Sequence, residues 1–103
     1  MHLIRARLLA ICGPAKGTVW SLGNADLRIG RGREVEICLP DAAASRNHAV
    51  IVCEGDGFQV EDLGSTNGTR VNGKPVRQAT LAAGDQIQIG HTVFEFQARR
   101  DSI

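Results

Sequence analysis

Residues 62–73 read DLGSTNGTRVNG and contain two turn signals in close succession. The first, Thr66-Asn67-Gly68, indicates a tight turn in which Gly68 takes a positive φ. The second, Asn72-Gly73, predicts a two-residue hairpin of type I′, because both central residues of that turn need a positive φ. Pro75 follows in the second strand. Since proline lacks an N–H, we expect Pro75 to lie in an edge strand or to be the first residue of its strand.

Short strands are predicted on both sides of this segment. Apolar and polar residues alternate at 58–63 and 86–89, residues 49–53 are continuously apolar, and further candidates lie at 3–12, 18–22, 27–29, 36–39 and 93–96. Gly, Pro, Asn or Asp separates them, and the apolar spacing of a helix is absent beyond one possible turn at 41–44. About ten short strands in this arrangement predict an all-β sandwich or barrel.

Length and charge narrow the class of protein. The 103 residues suit one domain, 1–103, with a single core and no linker or repeat. Lys plus Arg total 12 and Asp plus Glu total 11, and this near balance argues against a nucleic-acid partner. No apolar run approaches the roughly 20 residues that cross a bilayer, and the first residues lack a signal-peptide pattern. The expected location is cytoplasmic, with no membrane partner.

The cysteines are odd in number and widely spaced, at Cys12, Cys38 and Cys53. Each lies in an apolar stretch, and free cysteine is among the most buried residue types. We interpret all three as buried free thiols in a reducing compartment.

Polar residues collect in three loops next to predicted strands. These are Gly30-Arg31-Gly32-Arg33, Ser45-Arg46-Asn47-His48 and the segment 64–69. They combine arginines, hydroxyls, an amide and glycines that leave backbone N–H groups accessible. Such groups suit a dianionic cluster of oxygens, which accepts charge-assisted hydrogen bonds.

Each loop also has an ordinary interpretation. The arginines suit a solvated turn, Ser45 suits a turn that bonds its own backbone, and residues 66–68 suit a tight turn alone. His48 precedes a buried strand and is interpreted as a structural histidine. The combination of the three loops favours a binding site over three separate turns.

The same residues give little support to an enzyme, a cofactor or a metal. Gly30-Arg31-Gly32-Arg33-Glu34-Val35 begins like a dinucleotide-binding fingerprint but ends in valine, and no helix is predicted after it. The sequence has no phosphate loop of the nucleotide-hydrolysing kind and no C-x-x-C or H-x-x-x-H pair for zinc. Ser45 and His48 lack an obvious carboxylate to orient the imidazole as a base. We expect no catalysis, no cofactor and no metal.

The three loops, in this order, resemble the forkhead-associated (FHA) domain family. The matching stretches are Ile29-Gly30-Arg31, the segment 45–49 and the segment 62–73, and the likeness extends from about Gly13 to Phe96. The resemblance implies a β-sandwich of about eleven mostly short strands with binding loops at one end. It also implies a module that recognises phosphothreonine peptides and recruits phosphorylated partner proteins in signalling.

The resemblance assigns five residues to the phosphopeptide. Arg31 would contact the phosphate, Ser45 would donate its hydroxyl to a phosphate oxygen, and Arg46 would add backbone or side-chain contacts. Thr66 would line the phosphate site, and Asn67 would hold the main chain of the ligand.

Other residues would form the scaffold of the site. His48 would tie its loop to the neighbouring loops, Gly30 would let the chain turn, Gly68 would allow the tight turn, and Asn72-Gly73 would form the hairpin beyond. Some family members carry an arginine two residues before the key serine and use it to select an acidic residue three positions after the phosphothreonine. Ala43 takes that place here, so we expect a small apolar +3 pocket.

Two other functions stay open at this point. The same fold could serve as a non-phospho scaffold or dimerisation module that uses a sheet face. A small oligonucleotide-binding barrel would need exposed aromatic residues for stacking, whereas the aromatic residues Trp20, Phe58, Phe94 and Phe96 lie at predicted core positions. The polar residues of the three loops favour phosphopeptide binding by a protein that is monomeric or part of a larger signalling protein.

Overall fold

The computed structural model describes the backbone of residues 2–102 and the side chains of residues 5–99. This part of the chain has eleven strands and no helix. The described residues therefore include no helix long and apolar enough to cross a membrane. The strands are β1 (His2–Cys12), β2 (Val19–Leu22), β3 (Leu27–Gly30), β4 (Ile37–Cys38), β5 (Ala49–Glu54), β6 (Gly57–Asp62), β7 (Thr69–Val71), β8 (Lys74–Val76), β9 (Gln78–Thr80), β10 (Gln86–Ile89) and β11 (Thr92–Ser102).

The strands form two sheets. The six-stranded sheet has the order β2-β1-β11-β10-β7-β8, and the five-stranded sheet has the order β4-β3-β5-β6-β9. Paired strands run antiparallel in both sheets, except that β3 and β4 are parallel. The predicted all-β sandwich is confirmed. The strand that the sequence did not reveal is β9, whose single apolar residue, Ala79, gives too weak an alternation to mark a strand.

Alternating side chains from both sheets form one core. Leu8, Ile87 and Phe94 come from the six-stranded sheet, and Ile29 and Val60 come from the other; all five are fully buried. Because successive residues of a strand face opposite sides, this alternation fixes which side of each sheet is covered.

The aromatic residues lie in or against this core, as their positions predicted. Phe58 and Phe96 are buried and their ring centroids are 5.8 Å apart. Trp20 is half-buried and packs edge-on against the buried Phe94, at 5.5 Å between centroids. These four aromatic side chains therefore pack with the core, whereas an oligonucleotide-binding barrel needs exposed aromatic side chains for stacking.

The predicted hairpin is confirmed. Asn72 has a φ of 51° and Gly73 a φ of 83°, the signs that a type I′ turn requires. Pro75 lies in β8 and is paired with Arg70 of β7. Because β8 is an edge strand, the missing N–H of Pro75 can be tolerated there.

The interpretation of the cysteines as buried is wrong for two of them. Cys12 and Cys38 are exposed, and Cys53 is half-buried. Cys38 follows the buried Ile37 in a two-residue edge strand, so alternation turns its thiol outward. Cys12 ends β1 just after the pairing with β11 shifts register. Apolar neighbours in sequence do not show which face of a strand a residue occupies.

The strand order brings the polar loops to one end of the sandwich. In the five-stranded sheet, β5 lies between β3 and β6 and runs antiparallel to both, so β5 begins where the other two end. The loop after β3, the loop before β5 and the loop after β6 therefore meet at this end.

Candidate functional site

Backbone hydrogen bonds join the three predicted loops directly. The amide of Arg31 donates to Ser45 O at 2.9 Å, and the amide of Gly32 donates to Arg46 O at 3.1 Å. The amide of Leu63 donates to His48 O at 2.9 Å, which attaches the third loop to the second. The residues singled out by sequence are thus neighbours on one surface.

Gly30 permits the close approach of the first two loops. A Cβ atom at this position would lie 2.1 Å from Arg46 O and 2.8 Å from Ser45 O. Gly30 is the last residue of β3 and is not among the glycines of positive φ, so its role in letting the chain turn stays a prediction. Glycine is needed here for contact between two backbones.

The guanidinium of Arg31 is held by one of its three nitrogens. Nε donates to Ala44 O at 3.0 Å, and the two terminal nitrogens have no hydrogen-bond partner among the described residues. The residue is exposed. This arrangement fixes the direction of the side chain and leaves a planar pair of donors for an anion.

Ser45 lies against the third loop. Its Oγ accepts a hydrogen bond from the amide of Thr66 at 2.9 Å. Because this bond uses a lone pair of the oxygen, the hydroxyl proton of Ser45 remains able to donate. The exposed Thr66 is therefore fixed beside Ser45 by its backbone.

His48 is fully buried and links the second and third loops through both ring nitrogens. Nδ1 accepts from the amide of Ser45 at 3.0 Å, and Nε2 lies 2.8 Å from Gly68 O. These partners assign the proton to Nε2, which donates to the carbonyl. Buried and satisfied at both nitrogens, the imidazole supports Ser45 and has no route to a ligand.

Asp62 organises the third loop and was missed by the sequence analysis. Its Oδ2 accepts from the amides of Gly64 and Ser65, both at 3.0 Å, and its Oδ1 accepts from the hydroxyls of Ser65 at 2.6 Å and Thr69 at 2.7 Å. Partial burial acts to raise the pKa of Asp62, but the hydrogen bonds from Ser65 and Thr69 lower it overall. The Asp-x-Gly-Ser spacing, typical of a side chain that bonds the backbone two residues on, was the available signal.

Asn67 spans from the third loop to the loop before β5. Its Nδ2 donates to Ala43 O at 2.9 Å, while Oδ1 has no partner in the described part of the chain. The orientation of the amide is therefore fixed, and an acceptor is left for a backbone N–H of a ligand.

Arg46 lies at the rim of the three loops. Its terminal nitrogen is 3.8 Å from a carboxylate oxygen of Glu34, and its side chain is 65% exposed. So loose and exposed an ion pair contributes little stability. The guanidinium is available to an approaching anion.

A shallow depression of about 270 Å³ lies beside Ala43 and Asn67. Its other lining residues are Gly68, Arg70, Gln88, Gly90 and His91. The lining is mixed, because Arg70, Gln88 and His91 add polar side chains to Ala43 and the two glycines. These side chains come from β7, β10 and the turn before β11, which are remote from Ala43 in sequence. That Ala43 borders a small apolar +3 pocket stays a prediction.

The larger depression of the structure lies outside the three loops, and no metal cluster is found among the described residues. A larger depression of about 630 Å³ is lined by residues of β1, β2 and β11 and includes none of the loop residues described above. No cluster of three or more His, Cys, Asp or Glu side chains suited to a metal ion occurs among the residues that the structure describes.

The sequence and the fold both match known proteins. The FHA domain family model matches residues 27–90, and this chain belongs to the FHA domain family. Over 85 residues it is 45% identical to the glycogen accumulation regulator GarA of Mycolicibacterium smegmatis, which covers 82% of this chain and 54% of GarA. It is 40% identical over 85 residues to the oxoglutarate dehydrogenase inhibitor of Corynebacterium jeikeium, covering 82% of this chain and 59% of that protein. The chain thus spans about half the length of these relatives.

Solved FHA structures share this sandwich fold over most of the chain. The FHA domain of FhaA, solved in complex with the intracellular domain of Rv3910, is 36% identical, with a TM-score of 0.81 over 89% of this chain and 99% of that one. EmbR of Mycobacterium tuberculosis, solved in complex with a low-affinity phosphopeptide, is 40% identical, with a TM-score of 0.82 over 90% of this chain and 24% of EmbR.

Proposed function

We propose that this chain binds a phosphothreonine-bearing segment of another protein and recruits that protein without catalysing a reaction. The observation that carries the proposal is the convergence of the Arg31 guanidinium, the Ser45 hydroxyl and the exposed Thr66 on one open surface. The complexes of the related FhaA and EmbR domains support it, because their partners are an intracellular protein domain and a phosphopeptide.

The phosphate is bound by charge-assisted hydrogen bonds. At neutral pH it carries about −1.5 to −2 charges, and each hydrogen bond to a charged group contributes roughly 1.5–3 kcal/mol. The terminal nitrogens of Arg31 donate to two phosphate oxygens, and Ser45 donates its hydroxyl to a phosphate oxygen while its own oxygen accepts from Thr66. After the costs of ordering and desolvation, two or three such bonds give a dissociation constant on the order of micromolar, about −8 kcal/mol.

The peptide backbone is held beside the phosphate. Asn67, fixed by its bond to Ala43 O, accepts a main-chain N–H of the ligand through Oδ1. Thr66 lines the phosphate site, and Arg46 adds a cation at the rim. An extended segment held in this way passes from the three loops toward the depression next to Ala43.

The depression beside Ala43 receives the side chain at position +3. Ala43, Gly68 and Gly90 form its small walls. Arg70 also lines it, but one terminal nitrogen of that guanidinium donates to Gly73 O at 3.2 Å in its own hairpin. The space beside Ala43 and the two glycines takes a medium-sized aliphatic side chain, while Gln88 and His91 lie at its polar side. Because the Arg70 guanidinium is already bonded in its own hairpin, an acidic residue at +3 gives no large gain.

Fluorescence anisotropy with degenerate peptide libraries tests this function. One library carries phosphothreonine, a second carries phosphoserine, and a third is unphosphorylated. We expect binding to the phosphothreonine library, weaker binding to phosphoserine, whose side chain lacks the β-branch that restricts rotamers beforehand, and none without phosphate. Equal binding with and without phosphate would contradict the proposal and favour a scaffold that uses a sheet face.

A further inference from the structure

Asp41 carries a buried carboxylate that none of the binding roles above uses. It is 2% exposed, and its Oδ1 accepts from the amide of Ala43 at 3.0 Å. Its Oδ2 accepts from the amide of His91 at 2.9 Å and from the Thr92 hydroxyl at 2.8 Å. Burial acts to raise the pKa of Asp41, but the bonds from Thr92, Ala43 and His91 lower it overall. The charged carboxylate therefore joins the loop before β5 to the start of β11.

Gly90 leaves the space that this carboxylate occupies. A Cβ atom at position 90 would lie 2.8 Å from Oδ1 of Asp41 and 2.9 Å from Oδ2, and Gly90 has a φ of +63°. The turn before β11 is thus built closely around the carboxylate. This packing leaves little freedom for either partner to move alone.

The turn that Asp41 fixes carries the two carbonyls that hold the ligand-binding side chains. The amide of Ala44 donates to Asp41 O at 3.0 Å, and the amide of Ala43 donates to the Asp41 carboxylate. Ala43 O accepts from Nδ2 of Asn67 at 2.9 Å, and Ala44 O accepts from Nε of Arg31 at 3.0 Å. A rotation of this turn would redirect both side chains together.

We propose that Asp41 is a positioning residue for ligand binding, which sets the orientation of Arg31 and Asn67 through the carbonyls of Ala43 and Ala44. It touches no ligand, and for the identity of the ligand this inference rests on the proposed function. Binding groups need to be held within about 0.5 Å of their productive positions by supporting contacts. Asp41 supplies that support for two of them at once.

Two near-isosteric substitutions test the role. Asp41→Asn keeps the size of the side chain but replaces one acceptor oxygen with an NH₂ group, so at least one of the three donors loses its acceptor. Thr92→Val removes the hydroxyl donor alone and leaves the Ala43 and His91 bonds. Ile87→Val is the matched control, because Ile87 is fully buried in β10 and is outside the hydrogen-bond network of Asp41.

The readouts are chosen to separate positioning from stability. Affinity for a phosphothreonine peptide is measured by isothermal titration at a temperature where circular dichroism finds each variant fully folded. The Nε–H signal of Arg31 and the side-chain amide signals of Asn67 are followed by ¹H–¹⁵N NMR at pH 6 without peptide. We expect about tenfold weaker binding for Asp41→Asn and about threefold weaker binding for Thr92→Val. The affinity of Ile87→Val should be unchanged, even if its melting temperature falls as much as that of Asp41→Asn.

Each result bears on the proposal. A folded Asp41→Asn variant with wild-type affinity and unchanged Arg31 and Asn67 signals would overturn it, as would an equal loss of affinity in Ile87→Val. If the wild-type chain binds no phosphothreonine peptide, the proposed function fails, and the side-chain signals of ligand-free Asp41→Asn still decide whether Asp41 positions these groups. If Asp41→Asn does not fold, the signals and affinity of Thr92→Val decide.

Discussion

Replacing Arg31 with alanine removes the two terminal nitrogens that we assign to the phosphate. Each charge-assisted bond contributes roughly 1.5–3 kcal/mol. Because Arg31 is exposed and ordering its side chain opposes binding, we expect a net loss of about 2–3 kcal/mol. Since 1.4 kcal/mol corresponds to a tenfold change, the dissociation constant should rise by about 30- to 150-fold.

The fold should tolerate this change. The substitution also removes the bond from Nε to Ala44 O, which contributes about 1 kcal/mol, and exposed loop changes otherwise have small effects. The melting temperature should therefore fall by only a few degrees, and the circular dichroism spectrum should be unchanged. If the Arg31→Ala variant is folded but binds weakly, the loss of affinity arises from the binding site and not from unfolding.

Arg33→Ala is the matched control. Arg33 lies in the same loop, is exposed, and carries the same charge. Fluorescence anisotropy against one labelled phosphothreonine peptide, at about 0.15 M salt to limit long-range attraction, compares the two variants. We expect less than a threefold loss for Arg33→Ala. Equal losses in both variants would refute the assigned contact and indicate a general attraction between the basic loop and the peptide.

Four more predictions concern the site and its support. Ser45→Ala should weaken phosphopeptide binding about tenfold or more in titration calorimetry, because the phosphate loses a donor; wild-type affinity would contradict that role. His48→Ala should destabilise the fold by about 2–4 kcal/mol in urea unfolding, since it opens a cavity and leaves buried polar groups without hydrogen-bond partners. An unchanged urea midpoint would contradict the scaffold role. The folded pKa of Asp62 is depressed below its unfolded value of about 3.9, so its contribution is present above that value and is lost as pH falls through the folded pKa. Below about pH 4 the unfolding free energy should thus fall more steeply for the wild type than for Asp62→Asn, and parallel curves would refute this. A peptide with Ile at +3 should bind at least as tightly as one with Asp, and Ala43→Arg should reverse that order; tighter binding of Asp by the wild type would rule out the +3 assignment.

Local sequence patterns were enough to predict an all-β sandwich or barrel, and the resemblance to the FHA family favoured the sandwich. Alternation at 58–63 and 86–89 marked β6 and β10, and Asn72-Gly73 marked a hairpin whose φ values have the predicted sign. These features depend on neighbouring residues only. The weak strand β9 could not be found in this way, because it is defined by pairing with β6 and has little pattern of its own.

The support of the site depends on contacts between distant segments, and the sequence alone did not reveal it. Asp41 bonds the start of β11, and Gly30 is required by the backbone of Arg46 in another loop. Neither partner can be deduced without knowing how the strands are ordered. By contrast, Asp62 bonds residues only two to seven positions later, so attention to its spacing from Gly64 and Ser65 could have identified its role.

A ¹H–¹⁵N NMR titration of the chain with a phosphothreonine peptide, and with the same peptide lacking phosphate, tests whether the three loops bind the phosphate. We expect saturable shifts with the phosphorylated peptide alone, in the backbone amides of Arg31, Ser45, Arg46, Thr66 and Asn67. Shifts that lie on a sheet face, or that are equal with both peptides, would contradict the claim that these loops read phosphothreonine.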